Sequence, residues 1–142
     1  MATQSKFNVY TKDLTEGKHD WSSNTFKLML TNTAPVATNT VKANITEISA
    51  GNGYTAGGPA VTVAKSNTAG VETITGQQVV ITAAGGSIGP FRYGVLYNDT
   101  QASPAKPLIS YIDIGSAITL NDGDSYTFKF NNTTPGTINT TT

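Results

Sequence analysis

The chain has no cysteine, one histidine and one tryptophan, and charged side chains make up only 13% of its 142 residues. Without cysteine there are no disulfide staples, thiolate metal centres or cysteine nucleophiles, which suits a protein matured in a reducing interior. A lone imidazole, His19, leaves little for acid–base work near neutral pH. Zinc catalysis asks for three protein ligands and structural zinc for four, more than His19 and scattered carboxylates supply. Nine basic residues balance nine acidic ones, so the positive excess that draws proteins to nucleic acid or anionic membranes is missing. No apolar run approaches the roughly 20 residues of a spanning helix, and Met1 to Tyr10 is too polar for a signal peptide. The expectation is a soluble, cytosolically made protein with no catalytic residue, cofactor or metal, and with neither nucleic acid nor membrane as partner.

What replaces charge is 24 Thr, 12 Asn and 10 Ser, with 14 Gly. β-Branched Thr suits a half-exposed pleated surface, and Asn and Gly suit turns that need positive φ, so the composition predicts a mostly β protein. At 14.8 kDa the chain fits one domain, read as 1–130, with 131–142 a flexible extension because Ile138 is its only large apolar residue.

Phe7, Tyr10 and Leu14 recur at helical spacing between Lys6 and Glu16, with Ser5 placed to cap the start and Gly17 placed to end it. From Thr25 to Thr31 the pattern alternates, Phe26, Leu28 and Leu30 on one face and Lys27, Met29 and Thr31 on the other. Further strands are predicted at Val41 to Ile48, Ala60 to Ala64, Val71 to Ile74, Gln77 to Ala83, Phe91 to Asn98, Leu108 to Ile114, Ala117 to Leu120 and Ser125 to Phe130. Turn chemistry separates them, as at Gly51-Asn52-Gly53 and Asn121-Asp122-Gly123-Asp124, and no helix lies between successive strands. That excludes parallel βαβ units and leaves an antiparallel two-sheet β-sandwich of jelly-roll-like or immunoglobulin-like kind, the jelly-roll-like one preferred, with one short N-terminal α-helix. Phe26, Leu28, Leu30, Phe91, Tyr93, Val95, Ile112, Ile114, Tyr126 and Phe128 are expected to point inward.

Several motifs carry chemistry only formally. His19, among Lys18, Asp20 and Trp21, reads as a surface loop residue, and no Gly-x-Ser-x-Gly elbow accompanies it. Gly51 to Ala56 matches G-x-G-x-x-A, but Gly57-Gly58-Pro59 cannot start the helix that would hold a pyrophosphate. Asp122 and Asp124 could give oxygen ligands to calcium, yet they lack the twelve-residue loop and its terminal Glu, and a hairpin turn is the simpler reading. Phe91, Tyr93 and Tyr97, and likewise Tyr126, Phe128 and Phe130, alternate as a stacking platform for sugars or bases would, and equally as a core does.

Three segments, Thr25 to Pro35 (TFKLMLTNTAP), Ile45 to Gly58 (ITEISAGNGYTAGG) and Gly85 to Asp99 (GGSIGPFRYGVLYND), resemble a family of small structural proteins of tailed-bacteriophage virions. Leu108 to Gly115 (LISYIDIG) and Leu120 to Phe128 (LNDGDSYTF) look like the same family, and the resemblance runs from Phe7 to Phe130. It implies a capsid decoration or cement protein: a homo-oligomer (dimer or trimer) on the outer surface of the shell, made in the host bacterial cytoplasm, partnered by the major capsid protein, and without catalysis. The alternatives are a tail, collar or fibre-associated structural protein, a glycan-binding adhesion module and, more distantly, a hydrolase. Loops 32–39, 51–59 and 100–107 and the two termini are the expected contact segments, with Asn32, Pro35, Asn52, Tyr54, Pro59, Gln101, Pro104 and Pro107 as candidate contact residues.

Overall fold

The computed structural model describes residues 3–132 and 136–141. Among these the chain is mostly β, with several antiparallel sheets and one short helix. In chain order the elements are β1 (Thr3–Lys6), α1 (Val9–Thr15), β2 (Phe26–Thr31), β3 (Ala60–Val61), β4 (Val63–Thr68), β5 (Val71–Gly76), β6 (Val79–Thr82), β7 (Ile88–Asn98), β8 (Leu108–Leu120), β9 (Ser125–Phe128) and β10 (Gly136–Thr141). A five-stranded sheet runs β1-β8-β7-β2-β3, a three-stranded sheet β10-β5-β4, and β6 pairs with β9.

Both faces of the five-stranded sheet are buried at its centre. Phe26, Leu28, Leu30, Leu96 and Ile112 enter a first core with Ile74, Ile81, Phe128 and Ile138 from the other sheets. Met29, Val95, Tyr97 and Leu108 enter a second core on the opposite face, closed by Phe7. Alternation explains the split, since Leu28 pairs with Leu96 and Met29 with Val95 in the β2–β7 register. Met29, expected among the polar positions of β2, is therefore fully buried.

The expected single aromatic face of β7 is corrected by an irregularity in its pairing. Phe91 opposes Ile118 while Tyr93 opposes Asp113, so β8 spends extra residues, Gly115 among them at φ 107°, where β7 advances by two. Phe91 thus packs in the first core, whereas Val95 and Tyr97 face the second. The inward set otherwise holds for Phe26, Leu28, Leu30, Phe91, Ile112 and Phe128, with Ile114 and Tyr126 half-buried against the same core.

Other expectations also shift. The helix starts at Val9, because residues 3–6 pair with Tyr111 to Asp113 and Ser110 of β8, and Ser5 is a strand residue rather than a cap. Gly17 does adopt a left-handed φ of 74° beyond the helix end. Residues 41–48 form a 3-10 turn and isolated bridges in place of a strand. There the Asn44 carboxamide oxygen accepts from the Thr40 and Val41 amides, diverting groups that a ladder would use. Leu108 to Ile114 and Ala117 to Leu120 are one strand, β8. The chain after β9 is not simply a loose tail: residues 136–141 pair with β5, and Ile138 is 8% exposed. Gln4 of β1 binds the Asn131 amide and the Thr137 and Ile138 carbonyls, tying the two ends together.

Phe128 is 1% exposed and packs over Gly94 of β7, where a Cβ would lie 2.7 Å from its ring. Phe128→Ala should therefore lose about 3–5 kcal/mol of stability, measured by denaturant unfolding, and a midpoint equal to that of the parent protein would contradict this packing.

Candidate functional site

Two regions stand out: a set of loops that meets both cores, the first through Tyr54 and the second through Tyr97, and a cleft beside the first core. The loops come together through polar groups that sequence reasoning passed over. Glu47 sits in the 41–48 segment, and one of its carboxylate oxygens accepts from the Tyr54 hydroxyl and from the Gly57 amide at 2.6 Å. Tyr54 in turn accepts from the Leu30 amide at 3.0 Å, and Tyr97 of β7 donates to the Gly57 carbonyl at 2.6 Å. Burial first, and then the bond to Glu47, push the Tyr54 hydroxyl far up, so it stays protonated and donating. Gly58 completes the approach, because a Cβ there would meet the Leu28 carbonyl oxygen at 1.9 Å.

Asp99 fastens the next loop. It pairs with Lys27 at 3.1 Å and with Lys106, while Lys42 pairs with Glu47 at 3.3 Å. Burial raises the Asp99 carboxyl, and the hydrogen bonds from Lys106 and Lys27 overcome that and leave it lowered. Lys27, Lys42 and Lys106 thus surround a small pocket with both carboxylates already engaged. Glu47 is the only acid between Asp20 and Glu72, and Asp99 the only one between Glu72 and Asp113. That isolation is the signal that could have picked them out.

The contact candidates divide. Asn32 is exposed, and Pro35, Pro59, Gln101 and Pro104 are half-buried. Tyr54 is 3% exposed and Pro107 is buried, so neither offers a contact surface: the first is spent on Glu47, and the carbonyl of the second accepts from the Asn98 amide. Asn52 is exposed but bonds the Ser87 carbonyl and the Ala84 amide, so this end of the 51–59 loop leans on residues 83–87 while Tyr54 and Gly57 further along it join the Glu47 group. Loops 32–47 and 99–107 do meet, through Lys42 to the Lys106 carbonyl and Leu108 to the Thr40 carbonyl. Within the first of these, Val36 is 56% exposed and held outward by reciprocal bonds with Asn39, amide to side chain and carbonyl to amide, both 2.8 Å.

The second region is a cleft of about 550 Å³ between α1 with its following loop and one face of the β10-β5-β4 sheet. Tyr10 and Trp21 lie buried at its base, and Asp20, Lys65 and Glu72 are charged residues along it. Lys65, Ile74 and Asn139 lie in one row across the three strands by register. Trp21 stacks on Phe26 at 4.1 Å and 12°. Burial raises the Tyr10 hydroxyl to about 12.

His19 lines the same cleft and is not the surface residue expected: it is 6% exposed, 5.3 Å from the Tyr10 ring. Asn98 explains the position. Its side-chain oxygen accepts from the Thr100 and Gln101 amides, which fixes its amide nitrogen as a donor to Asn24, the Lys18 carbonyl and His19 Nδ1. The imidazole proton is therefore on Nε2, which has no partner among the described residues. Burial lowers the His19 pKa to about 4.

Asp122 accepts from the Gly85 amide and Asp124 from the Asn121 amide, the work of a turn. No group of three or more His, Asp or Glu able to hold a metal ion occurs among the described residues. The proposed stacking platforms are core: Phe91, Tyr97, Phe128 and Phe130 are all at most 1% exposed. Comparison with protein-family models, curated proteins and solved structures finds no match to this chain.

Two predictions follow from these contacts. Glu47→Ala should cost about 1–3 kcal/mol by leaving buried donors unpaired and should speed hydrogen exchange at Gly57; unchanged exchange there would remove Glu47 as the fastener. For His19, the unfolded imidazole takes a proton near its ordinary 6.5, which the folded one refuses down to about 4. Stability should therefore fall as pH drops through that window, by at most about 1.4 kcal/mol per pH unit from this group. His19→Gln should flatten the slope in urea titrations, and an identical slope in both proteins would refute a buried neutral histidine.

Proposed function

We propose that this chain is a structural protein of a tailed-bacteriophage virion, a decoration or cement protein on the outer surface of the shell. Its partner is then the major capsid protein, and it acts as a dimer or trimer whose copies each touch more than one capsid subunit. Its sheets are read as the two layers of a jelly-roll-like sandwich, supported by a first core that unites residues from all three sheets. The observation that carries the functional reading is the loop surface fastened by Glu47, Tyr97 and Asp99 and bearing Val36 in a rigid turn. Preordered loops lose little freedom on docking, so apolar contact there is retained as affinity.

The mechanism is linkage. A protein that binds the assembled lattice better than free subunits stabilises the lattice by its differential affinity, and repetition over many sites multiplies a modest gain. Lys27, Lys42 and Lys106 are already paired within the chain, so shell binding should depend little on salt.

Particles with and without the protein should differ in DNA retention on heating, and Val36→Asp should abolish shell binding while leaving the melting temperature of the free protein unchanged. Equal retention, or a location confined to the tail, collar or fibres, overturns the decoration reading in favour of a tail-associated structural role.

A further inference from the structure

We infer that β4 is a dimerisation edge, along which a second copy of this chain lays its own β4 antiparallel, across a two-fold axis at Ser66. The inference gives the dimer of the decoration reading a defined contact but does not rest on that reading, since it follows from the edge alone.

β4 is the outer strand of the β10-β5-β4 sheet, and residues 64–68 are all exposed. Its ladder to β5 runs without a bulge from Val63 opposite Gly76 to Thr68 opposite Val71, closed by the two-residue loop Ala69-Gly70 with both φ positive, 52° and 83°. Such a loop closes on a pair that exchanges both hydrogen bonds. Thr68, Ser66 and Ala64 therefore bond to β5, and the N–H and C=O groups of Lys65 and Asn67 point away from it. Those outward groups have no hydrogen-bond partner among the described residues. The opposite edge of the same sheet is blunted, as free edges in native proteins usually are. There β10 carries a register shift between Thr137 and Asn139, and the Gln4 side chain donates to the Thr137 and Ile138 carbonyls. Among the described residues β4 has neither a bulge nor a side chain bonded to its outer edge.

β4 itself supplies the strand that fits. An axis centred on Ser66 places Lys65 opposite Asn67 of the partner subunit, and both carry outward groups, so each such pair exchanges both of its backbone bonds, twice over by symmetry. An axis on Lys65 would instead set two ammonium groups face to face. The Ser66 register also matches charge across the axis. Asn67 is opposed to Glu72 within the chain and donates to its carboxylate at 3.2 Å. Beyond Asn67 of the partner subunit, on the same face of the joined sheet as Lys65, comes Glu72 of the partner subunit. It lies two strand spacings away, about 9.6 Å, a gap that lysine and glutamate side chains span together. Neither Lys65 nor Glu72 has an ion pair among the described residues. On the other face Ser66 meets its own copy and Ala64 meets Thr68, all small and uncharged. The patch is its own complement, as an isologous two-fold contact requires.

The chain has no cysteine, so single cysteines report the register. Ser66→Cys brings two Cβ atoms to about 4.5–5.5 Å, close to what a disulfide needs, whereas the two copies of Asn67→Cys or Lys65→Cys stand two residues out of step. Mild oxidation of the whole chain should therefore link Ser66→Cys into covalent dimers about tenfold faster than either of the others. Sedimentation equilibrium of the parent chain should give a dimer with a Kd of about 100 μM or tighter. Lys65→Glu should weaken it about tenfold, and Lys65→Glu combined with Glu72→Lys should restore it, each variant melting as the parent does when diluted to monomer. A monomer at millimolar concentration, a trimer, equal linking at the three positions, or a double variant no tighter than Lys65→Glu overturns the inference. Monomers that still stabilise particles would sink this inference alone, and a Ser66-centred dimer that leaves particles unaltered would sink only the decoration reading.

Discussion

The five-stranded sheet must bury both of its faces, and most of the molecule answers to that requirement. From Tyr93 to Asn98 every residue of β7 is buried, so one strand feeds two cores with alternate side chains. The first core is closed by strands from the other two sheets and by Tyr10 of α1. Among the described residues, no second sheet closes the other. Phe7, between β1 and α1, covers it, with Val9 and Ile45 packed at its edge. The loop segment 41–48 thereby lies against the cores through the half-buried Ile45 and Ile48.

That origin explains why the loop surface is held by so few polar residues. A loop lying on a core must satisfy its backbone groups without a ladder. Glu47 does this for Gly57, Asn44 for Thr40 and Val41, and Asn98 for Thr100 and Gln101. Each is a side chain placed where a strand partner would otherwise be. The ion pairs at Asp99 and Glu47 are half-buried and add modestly to this. Their larger effect is to leave a surface whose charges are matched internally, with Val36 an exposed apolar point on it.

The cleft lies on the first-core side of the sheet, where Tyr10 and Trp21 pack, while the loop group reaches both cores, Tyr54 packing in the first and Tyr97 in the second. Asn98, at the end of β7, touches both. Its side-chain oxygen organises the start of the 99–107 loop, and its amide holds His19 beneath the aromatic cluster. The two regions therefore share one support.

Composition and periodicity determined the β class, the single short helix, most strand positions and the inward set of β2, because alternation and turn residues are local properties. Met29 was misplaced for a different reason: a residue's face is legible, but whether the opposite face is also covered depends on what packs there. The irregular β7–β8 pairing that separates Phe91 from Tyr97 is a relation between two strands and leaves no trace in either alone. His19 and Trp21, the only residues of their kinds, were visible as a pair from the start. Only the fold could decide that Asn98, 79 positions further along the chain, would bury one of them, and that the β10-β5-β4 sheet would stand opposite to form a cleft. Long-range contacts of this kind follow from chain topology, which a sequence encodes globally and displays nowhere in particular.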